Sequence, residues 1–351
     1  MFDTFQIGNY KAVSLIGEAR LPENGFSISF TGDFGFWYEY PDSESLAARL
    51  AMDNELLSNF DLRVINLEFI LPATRGREKD IKCDAISLDY LKESVFDIVS
   101  LANNHAVAFG TEGVTHNIER LKQAGKSIIG IKDSPVAKIS KIGIYSLTDL
   151  LDNPDPGHQI YRTSDKEIKS LLSELDDCEV VIGFPHLGSR SIYPSPRELD
   201  HVKKLQNAGT DLLVCTGSHF PKGFVSIDGN PVCFGLGNYL FDWAGGDTEP
   251  VGMHVVANFT DKGLTQLFAI PFNNQISSER SGVLTNQEFN NFLEEFEARS
   301  TDDLSCFWND PRTQAGVMDR LKNLDRRKIK RLRPRHLFYG LRTIWAKFIK
   351  Q

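Results

Sequence analysis

The chain has 351 residues, of which 41% are hydrophobic and 25% are charged, and its formal net charge is −8. This balance is typical of a soluble globular protein, and the lack of any run of about 18 apolar residues excludes a membrane-spanning helix. The five cysteines are scattered without C-x-x-C spacing, which favours reduced thiols in a cytoplasmic setting over a disulfide framework.

The first half of the chain is predicted to alternate buried strands with helices. Apolar runs and apolar–polar alternation predict strands over 26–34, 62–69, 96–101 and 126–131. Helical spacing predicts helices over 45–60 and 110–125. Residues 1–25 form a lead-in without a specified element, and residues 73–82 form a charged loop.

The second half continues this alternation and then becomes antiparallel. Its predicted elements are a hairpin over 137–147, a rim loop over 149–158, helices over 164–175 and 196–208, and strands over 179–184 and 212–216. Ser164 and Glu167 have the spacing of a capping box. Two hairpins with turns at 228–229 and 261–263 follow, and the chain is helical and polar past Phe272.

Polar side chains of the metal-ligand type stand at or just beyond the ends of five predicted strands. They are Asp33, Glu68, Asn104, His105, His186 and His219. Open α/β folds place their sites at the carboxyl ends of strands. Carboxylate, amide and imidazole groups without a thiolate suit Mn, Fe or Zn. One Asn-His pair alone would equally well cap a turn, but five strands that end in this way favour a metal site.

The motifs around these residues occur in a specific order. They are Gly32-Asp33, Asn66-Leu67-Glu68, Leu101-Ala102-Asn103-Asn104-His105 with Gly110, His186-x-Gly188, Gly217-x-His219 and Leu236-Gly237-Asn238-Tyr239-Leu240-Phe241-Asp242. Over residues 26–272 this set resembles the CapA-type proteins, the poly-γ-glutamate and capsule synthesis proteins of the calcineurin-like metallophosphoesterase superfamily. The resemblance implies a four-layer αββα sandwich over 26–275, followed by a helical extension over 276–351.

The resemblance also implies a role for each matched residue. Asp33 would bind a first metal ion, Glu68 would bridge, and a second ion would be bound by Asn104, His186 and His219. His105 would be the catalytic imidazole that protonates a leaving oxygen or stabilises charge on a phosphoryl group. The residues expected to bind substrate are Asn66, Asn103, Arg190, Lys222 and Asn238.

Three positions depart from the family pattern, and a fourth, Gly35, departs from that of the wider superfamily. Gly35 and Pro221 stand where histidines would complete the first metal site, which therefore keeps only Asp33 and Glu68. Ala108 and Arg190 replace an Asp and a Glu. We therefore expect one divalent ion that is held well and a second that is held weakly or absent. Arg190 or Lys222 would supply a fixed positive charge for an anionic substrate instead.

The C-terminal tail differs in charge from the rest of the chain. After Asp325 there are ten Lys and Arg residues and no Asp or Glu, which leaves 29 basic and 47 acidic residues, a formal charge of −18, elsewhere. From Pro334 onwards, apolar residues recur at helical spacing: Leu337, Phe338, Leu341, Ile344, Trp345, Phe348 and Ile349. This predicts a basic amphipathic helix that binds an anionic membrane surface or docks on the body. The acidic body disfavours nucleic-acid binding.

Two functions remain open from the sequence. The first is a metal-dependent hydrolase that acts on a phosphoester or related anionic bond, in a small molecule or a polymer, during capsule or surface-polymer metabolism. The second is a catalytically degenerate relative that binds a polymer or assembles a synthesis complex at the membrane. The N-terminus contains Asp3 and no apolar signal region, so either protein is expected in the cytoplasm, peripheral to the inner membrane face if the tail binds there.

Overall fold

The computed structural model describes residues 1–36, 42–68, 78–149, 157, 159–188, 191–241, 250–275 and 282–301, with the backbone alone for 78–85. Several predictions lie outside these residues. They concern Arg190, Asp242, residues 73–77, the rim loop after Asp149 apart from residue 157, and the basic tail. Membrane binding by the tail therefore stays a prediction. Among the described residues, no helix is long and apolar enough to cross a membrane.

The described residues form fifteen strands and six helices. In chain order they are β1 (Thr4–Ile7), β2 (Tyr10–Ile16), β3 (Phe26–Gly35), α1 (Ser43–Leu57), β4 (Leu62–Leu67), α2 (Glu78–Glu93), β5 (Ile98–Ser100), α3 (Gly110–Gln123), β6 (Ser127–Ile129), β7 (Val136–Ile139), β8 (Ile142–Tyr145), α4 (Asp165–Ser173), β9 (Val180–Gly183), α5 (Pro196–Asn207), β10 (Leu212–Val214), β11 (Phe224–Ile227), β12 (Asn230–Cys233), β13 (Asn238–Phe241), β14 (Val251–Thr260), β15 (Gly263–Asn273) and α6 (Asn286–Arg299).

These strands form two mixed sheets. The larger one has the order β1-β2-β15-β14-β3-β4-β5-β6, with β13 also paired to β3, and the smaller one has the order β11-β12-β10-β9-β8-β7. The run from β3 to β6 is parallel, and so is the run from β8 through β9 and β10 to β12. Parallel neighbours bring the carboxyl ends of their strands to the same edge of a sheet. Each sheet therefore offers one edge at which strand-end residues gather.

Three apolar clusters separate four layers. One contains Ile28, Phe30 and Ile182 and fills the space between the two sheets. A second lies beneath α1, α2 and α3 on the outer face of the larger sheet, and a third lies beneath α4 and α5 on the outer face of the smaller sheet. The order of layers is therefore helix, sheet, sheet, helix. The predicted αββα sandwich is confirmed.

Two stretches without a predicted strand or helix contain regular structure. Residues 1–25 include β1 and β2, an antiparallel hairpin that joins the larger sheet next to β15. Its turn contains Gly8 with a φ of +54° and Asn9, a turn signal that the sequence prediction did not use. The predicted charged loop 73–82 is wrong from residue 78 onwards, where α2 begins.

Strand β3 changes face just before the first candidate ligand. Ile28 and Phe30 pack between the sheets, whereas Phe34 packs beneath the helices, and the pairing register with β4 shifts between Thr31 and Asp33. Side chains alternate along a regular strand, so this change requires a bulge. A Cβ atom on Gly32 would lie 2.0 Å from the carbonyl oxygen of Gly237, so only glycine fits there. The bulge directs Asp33 towards residues of the smaller sheet.

Candidate metal centre

The six candidate residues come from the carboxyl ends of five strands, as the sequence predicts. Asp33 lies at the end of β3, Glu68 directly follows β4, and Asn104 and His105 follow β5. From the smaller sheet, His186 follows β9 and His219 follows β10. Asp33 and Glu68 are completely buried, whereas Asn104 and His105 are half-buried. The structure brings all six into one group at the edge where the two sheets meet.

One carboxylate oxygen lies at the centre of the group. Glu68 Oε1 is 3.7 Å from His105 Nε2, 3.7 Å from His186 Nε2 and 3.8 Å from His219 Nε2. Donor atoms around one ion with bonds of 2.0–2.2 Å lie about 3 to 3.5 Å apart. Donor atoms of Asp33, Glu68 and His219 all lie within 4.8 Å of one another. A divalent cation would need only small side-chain movements to bind here.

Asp33 is held by hydrogen bonds from both sheets. Its Oδ1 accepts from Asn66 Nδ2 at 2.7 Å, and its Oδ2 accepts from the backbone N–H of Gly217 at 3.1 Å. Burial raises the pKa of Asp33 above its ordinary value, and the neighbouring His219 and the two hydrogen bonds lower it only in part. A buried carboxylate is costly unless a positive charge neutralises it. The donor set therefore fits a bound divalent metal ion.

His186 is fixed at both ring nitrogens. Its Nε2 lies 2.9 Å from Asn104 Oδ1, and its Nδ1 lies 3.2 Å from Asn66 Nδ2 and 3.1 Å from Thr216 Oγ1. Burial lowers the pKa of His186 well below its usual value, and the nearby His219 and His105 lower it further. The ring is therefore neutral at physiological pH, and neutral imidazole is the form that binds metals.

His219 has an unusual backbone conformation. Its φ is +61°, in the left-handed region that residues other than glycine seldom adopt, and Gly217, two residues earlier, has a φ of +90°. The ring Nδ1 lies 2.8 Å from Asn238 Oδ1. Residues held in such conformations cluster at functional sites because the surrounding structure over-determines them.

Three residues expected to bind substrate contact the candidate ligands instead. Asn66 bonds to Asp33 and His186, and Asn238 bonds to His219. Asn103 donates to the carbonyl oxygen of Leu67 at 2.7 Å and accepts from the backbone N–H of His105 at 3.2 Å. All three amides are essentially inaccessible to solvent. Their contacts therefore correspond to residues that orient ligands, and the substrate-binding prediction does not match them.

The structure does not place Lys222 where a substrate could reach it. Its side chain is 0% exposed, and its ammonium forms an ion pair with Glu198 of α5, whose side chain is 1% exposed. A buried ammonium bound to a buried carboxylate cannot also present its charge to an anion in solvent. The proposed replacement of a metal ion by Lys222 is therefore wrong in this conformation. Arg190, the other proposed cation, lies outside the described residues.

Sequence reasoning missed three contributors to the group. Thr216, two residues after the end of β10, contacts His186, and the backbone N–H of Gly217 binds Asp33. Glu198 determines the position of Lys222, and it also completes a capping box with Ser195 at the start of α5. The Ser195-Pro196-Arg197-Glu198 spacing is a visible capping signal. The spacing gives no sign that the same carboxylate also binds a lysine.

Comparison with known proteins gives three kinds of match. A family model described as bacterial capsule synthesis protein PGA_cap matches residues 27–243. The capsule biosynthesis protein CapA of Bacillus anthracis is 24% identical over 54% of this chain and 51% of its own length. The PGA biosynthesis protein CapA of Bacillus subtilis (strain 168) is 23% identical over 47% of this chain and 48% of its own length. The matches thus span about half the length of these curated relatives.

A solved structure is also similar to the chain. It is the crystal structure of a 5'-nucleotidase from Candida albicans SC5314, with a TM-score of 0.46 and 10% sequence identity. The match covers 80% of this chain and 57% of that chain.

Proposed function

Because the chain belongs to the bacterial capsule synthesis protein PGA_cap family, we propose that it is a metal-dependent hydrolase in capsule or surface-polymer synthesis. Its substrate would contain a phosphoester or a related anionic bond. The observation that carries the proposal is the convergence of three imidazole Nε2 atoms on Glu68 Oε1, with Asp33 beside them. The capsule and PGA biosynthesis named for the two CapA relatives supports the choice of pathway.

The residues divide into those that bind the ion and those that orient them. Asp33, Glu68 and His219 would hold a Mn, Fe or Zn ion, and His186 and Asn104 are near enough to complete its coordination. Such an ion polarises substrate oxygens and lowers the pKa of a bound water. Asn66 and Asn238 fix the side chains of Asp33 and His219, as outer residues of metal sites commonly do. We expect one ion to be held more firmly than any second.

His105 is the candidate proton donor. Its Nε2 lies 3.7 Å from Glu68 Oε1, and its side chain is 16% exposed, whereas that of His186 is 2% exposed. The hydrogen bond from its backbone N–H to Asn103 fixes the start of its loop. An imidazole at the more accessible side of the donor set can donate a proton from Nε2 to a leaving oxygen. His105 is therefore assigned to proton transfer, and His186 to metal binding.

The test combines metal analysis with a substrate panel. The full chain is stripped of metal, titrated separately with Mn²⁺, Fe²⁺ and Zn²⁺, and assayed on phosphomonoesters and phosphodiesters. We expect Glu68→Gln to lose both metal binding and turnover. We expect His105→Ala to keep its metal but lose turnover by about 100-fold or more, since general acid catalysis contributes that much. His116→Ala, in α3 outside the group, is the matched histidine control.

Two results would contradict the proposal. Wild-type protein that binds none of the three ions would remove the metal centre. Metal binding without turnover on any anionic ester would favour the second function, a polymer-binding or complex-assembling protein that has lost its chemistry. The presence of Gly35 and Pro221, at positions where the resemblance implies histidines, favours this second function.

A further inference from the structure

Helix α6 contacts the loop that carries His219. The helix lies beyond residue 243, where the match to the family model ends. Near its C-terminus, Arg299 is 4% exposed and donates from Nη1 to the carbonyl oxygen of Pro221 at 2.7 Å. Arg299 also pairs with Glu295, one turn earlier on the helix. A buried guanidinium thus binds the backbone two residues after a candidate metal ligand.

The loop from Gly217 to Lys222 (the His219 loop) needs such external support. His219 has a positive φ, which is costly for a residue other than glycine, so the loop is not in an intrinsically favourable conformation. At its start, the backbone N–H of Gly217 binds Asp33, and at its end the N–H of Lys222 donates to the carbonyl oxygen of Gly235 at 3.0 Å. Between Gly217 and Lys222, Arg299 supplies a further hydrogen bond, to the carbonyl oxygen of Pro221.

Helix α6 is itself fixed to the body. Phe289, Phe292 and Phe296 are buried in the cluster between the sheets. The C-terminal end of α6 lies against the segment that follows the His219 loop, where Phe224 donates its backbone N–H to Ser300 Oγ at 3.0 Å. A Cβ atom on Gly223 would lie 2.1 Å from the carbonyl oxygen of Arg299, so the two backbones are in direct contact. Arg299 is therefore a rigid anchor.

We propose that Arg299 is a positioning residue that keeps His219 Nε2 directed at Glu68 and thereby sets the affinity of the site for its ion. The inference rests on the proposed function for the identity of the ligand. It goes beyond it by assigning the site a residue from a helix outside the matched region. Arg299 acts through the carbonyl of Pro221, without contacting the ion or the substrate.

The first measurement is metal affinity with Mn²⁺ and Zn²⁺ as probes. Arg299→Gln is expected to weaken binding about tenfold or more, as loss of an outer partner commonly does. Arg299→Lys should recover part of this loss, because an ammonium can still donate to the Pro221 carbonyl. Thr285→Ala is the control. It removes the N-cap at the opposite end of α6, so it should lower the melting temperature without changing metal affinity.

The second measurement is the proton NMR signal of the His219 Nδ1–H in metal-free protein. The hydrogen bond to Asn238 should protect this proton in the wild type and in Thr285→Ala, and Arg299→Gln should shift or broaden its signal. If Arg299→Gln matches Thr285→Ala in both measurements, the positioning role is wrong. If wild-type protein binds neither of these ions nor Fe²⁺, the proposed function fails, and the His219 signal still decides whether Arg299 positions the ring.

Discussion

The ring of His219 donates from Nδ1 to the side-chain oxygen of Asn238 across 2.8 Å, and its Nε2 lies 3.8 Å from Glu68 Oε1. The amide oxygen can only accept, so Nδ1 carries the proton of the neutral ring. Nε2 then keeps its lone pair on the side that faces Glu68. A single hydrogen bond therefore selects both the tautomer and the direction of this ligand.

Removal of this acceptor should weaken metal binding. Asn238→Ala leaves the His219 ring without its partner, and we expect the Kd for Zn²⁺ or Mn²⁺ to rise about 10- to 100-fold. Asn238→Asp keeps an oxygen acceptor at the same place and should bind more tightly than the alanine variant. Isothermal titration of metal-free protein measures both. Equal affinities for the alanine variant and the wild type would show that Asn238 does not orient His219.

Gly217 should be more sensitive to a methyl group than another left-handed glycine. Gly217 and Gly209 have φ values of +90° and +109°. A Cβ on Gly217 would lie 2.7 Å from His186 Nε2, whereas nothing lies within 4 Å of a Cβ on Gly209. We expect Gly209→Ala to cost about 1 kcal/mol of unfolding free energy from backbone strain alone. Gly217→Ala should cost clearly more and should also weaken metal binding.

Chemical unfolding and metal titration of both alanine variants check this prediction. Since both substitutions carry a backbone penalty, their difference isolates the contact with the His186 ring. An equal loss of stability in the two variants, with metal affinity unchanged, would mean that the His186 ring can move away freely.

His254 should make the fold sensitive to acid. It lies within β14, its Nδ1 is 2.8 Å from Thr31 Oγ1, and its burial, together with the nearby Arg49, lowers its pKa to about 3. The unfolded chain has a histidine pKa of about 6.5. Between these values the unfolded state binds a proton that the folded state does not. The contribution of neutral His254 to the unfolding free energy is therefore fully present above about pH 6.5. Below that pH it falls by about 1.4 kcal/mol per pH unit.

Urea unfolding at several pH values between 7.5 and 4, for the wild type and for His254→Gln, measures this slope. The glutamine cannot titrate but can still bond to Thr31. We expect the difference in unfolding free energy between the wild type and the variant to shrink steadily as the pH falls below about 6. Parallel curves for the two proteins would show that His254 does not contribute to acid sensitivity.

Two buried tyrosines should differ in their contribution to stability. The hydroxyl of Tyr239 donates to Asp53, and the hydroxyl of Tyr90 lies 2.6 Å from that of Tyr239 and 3.1 Å from Asp53 Oδ2. Asp53 also pairs with the buried Arg49 at 2.7 Å. Tyr239→Phe removes the shorter bond to a buried carboxylate, and bonds to charged groups contribute about 1.5–3 kcal/mol. Tyr90→Phe removes the longer one and should cost about 1 kcal/mol.

Thermal and chemical unfolding of the two phenylalanine variants test this order. Each variant loses one hydroxyl from the same network, so they are matched in size and burial. A greater loss of unfolding free energy in Tyr90→Phe than in Tyr239→Phe would mean that Tyr90, on α2, is the principal donor to Asp53.

Most of the fold could be predicted because its elements have local signals. Strand β3 alternates apolar and polar residues, β10 is an apolar run, and α5 has a cap, a first-turn proline and a glycine just after its end. The hairpin of β1 and β2 is not predicted because its two strands, of four and seven residues, are short. Helix α2 was missed because its sequence is too charged to show a clear apolar stripe.

The residue types at the strand ends follow from the amino-acid sequence alone, and these are the groups that gather around Glu68. That is a local property, since a strand's end and its last side chains are adjacent in the chain. What each side chain contacts depends on the tertiary structure. It turned Asp33 through a bulge, buried Lys222 against Glu198, and placed Asn66 and Asn238 on the ligands. These outcomes depend on distances of about 3 Å between residues far apart in sequence, which are set by how the two sheets and α6 pack together.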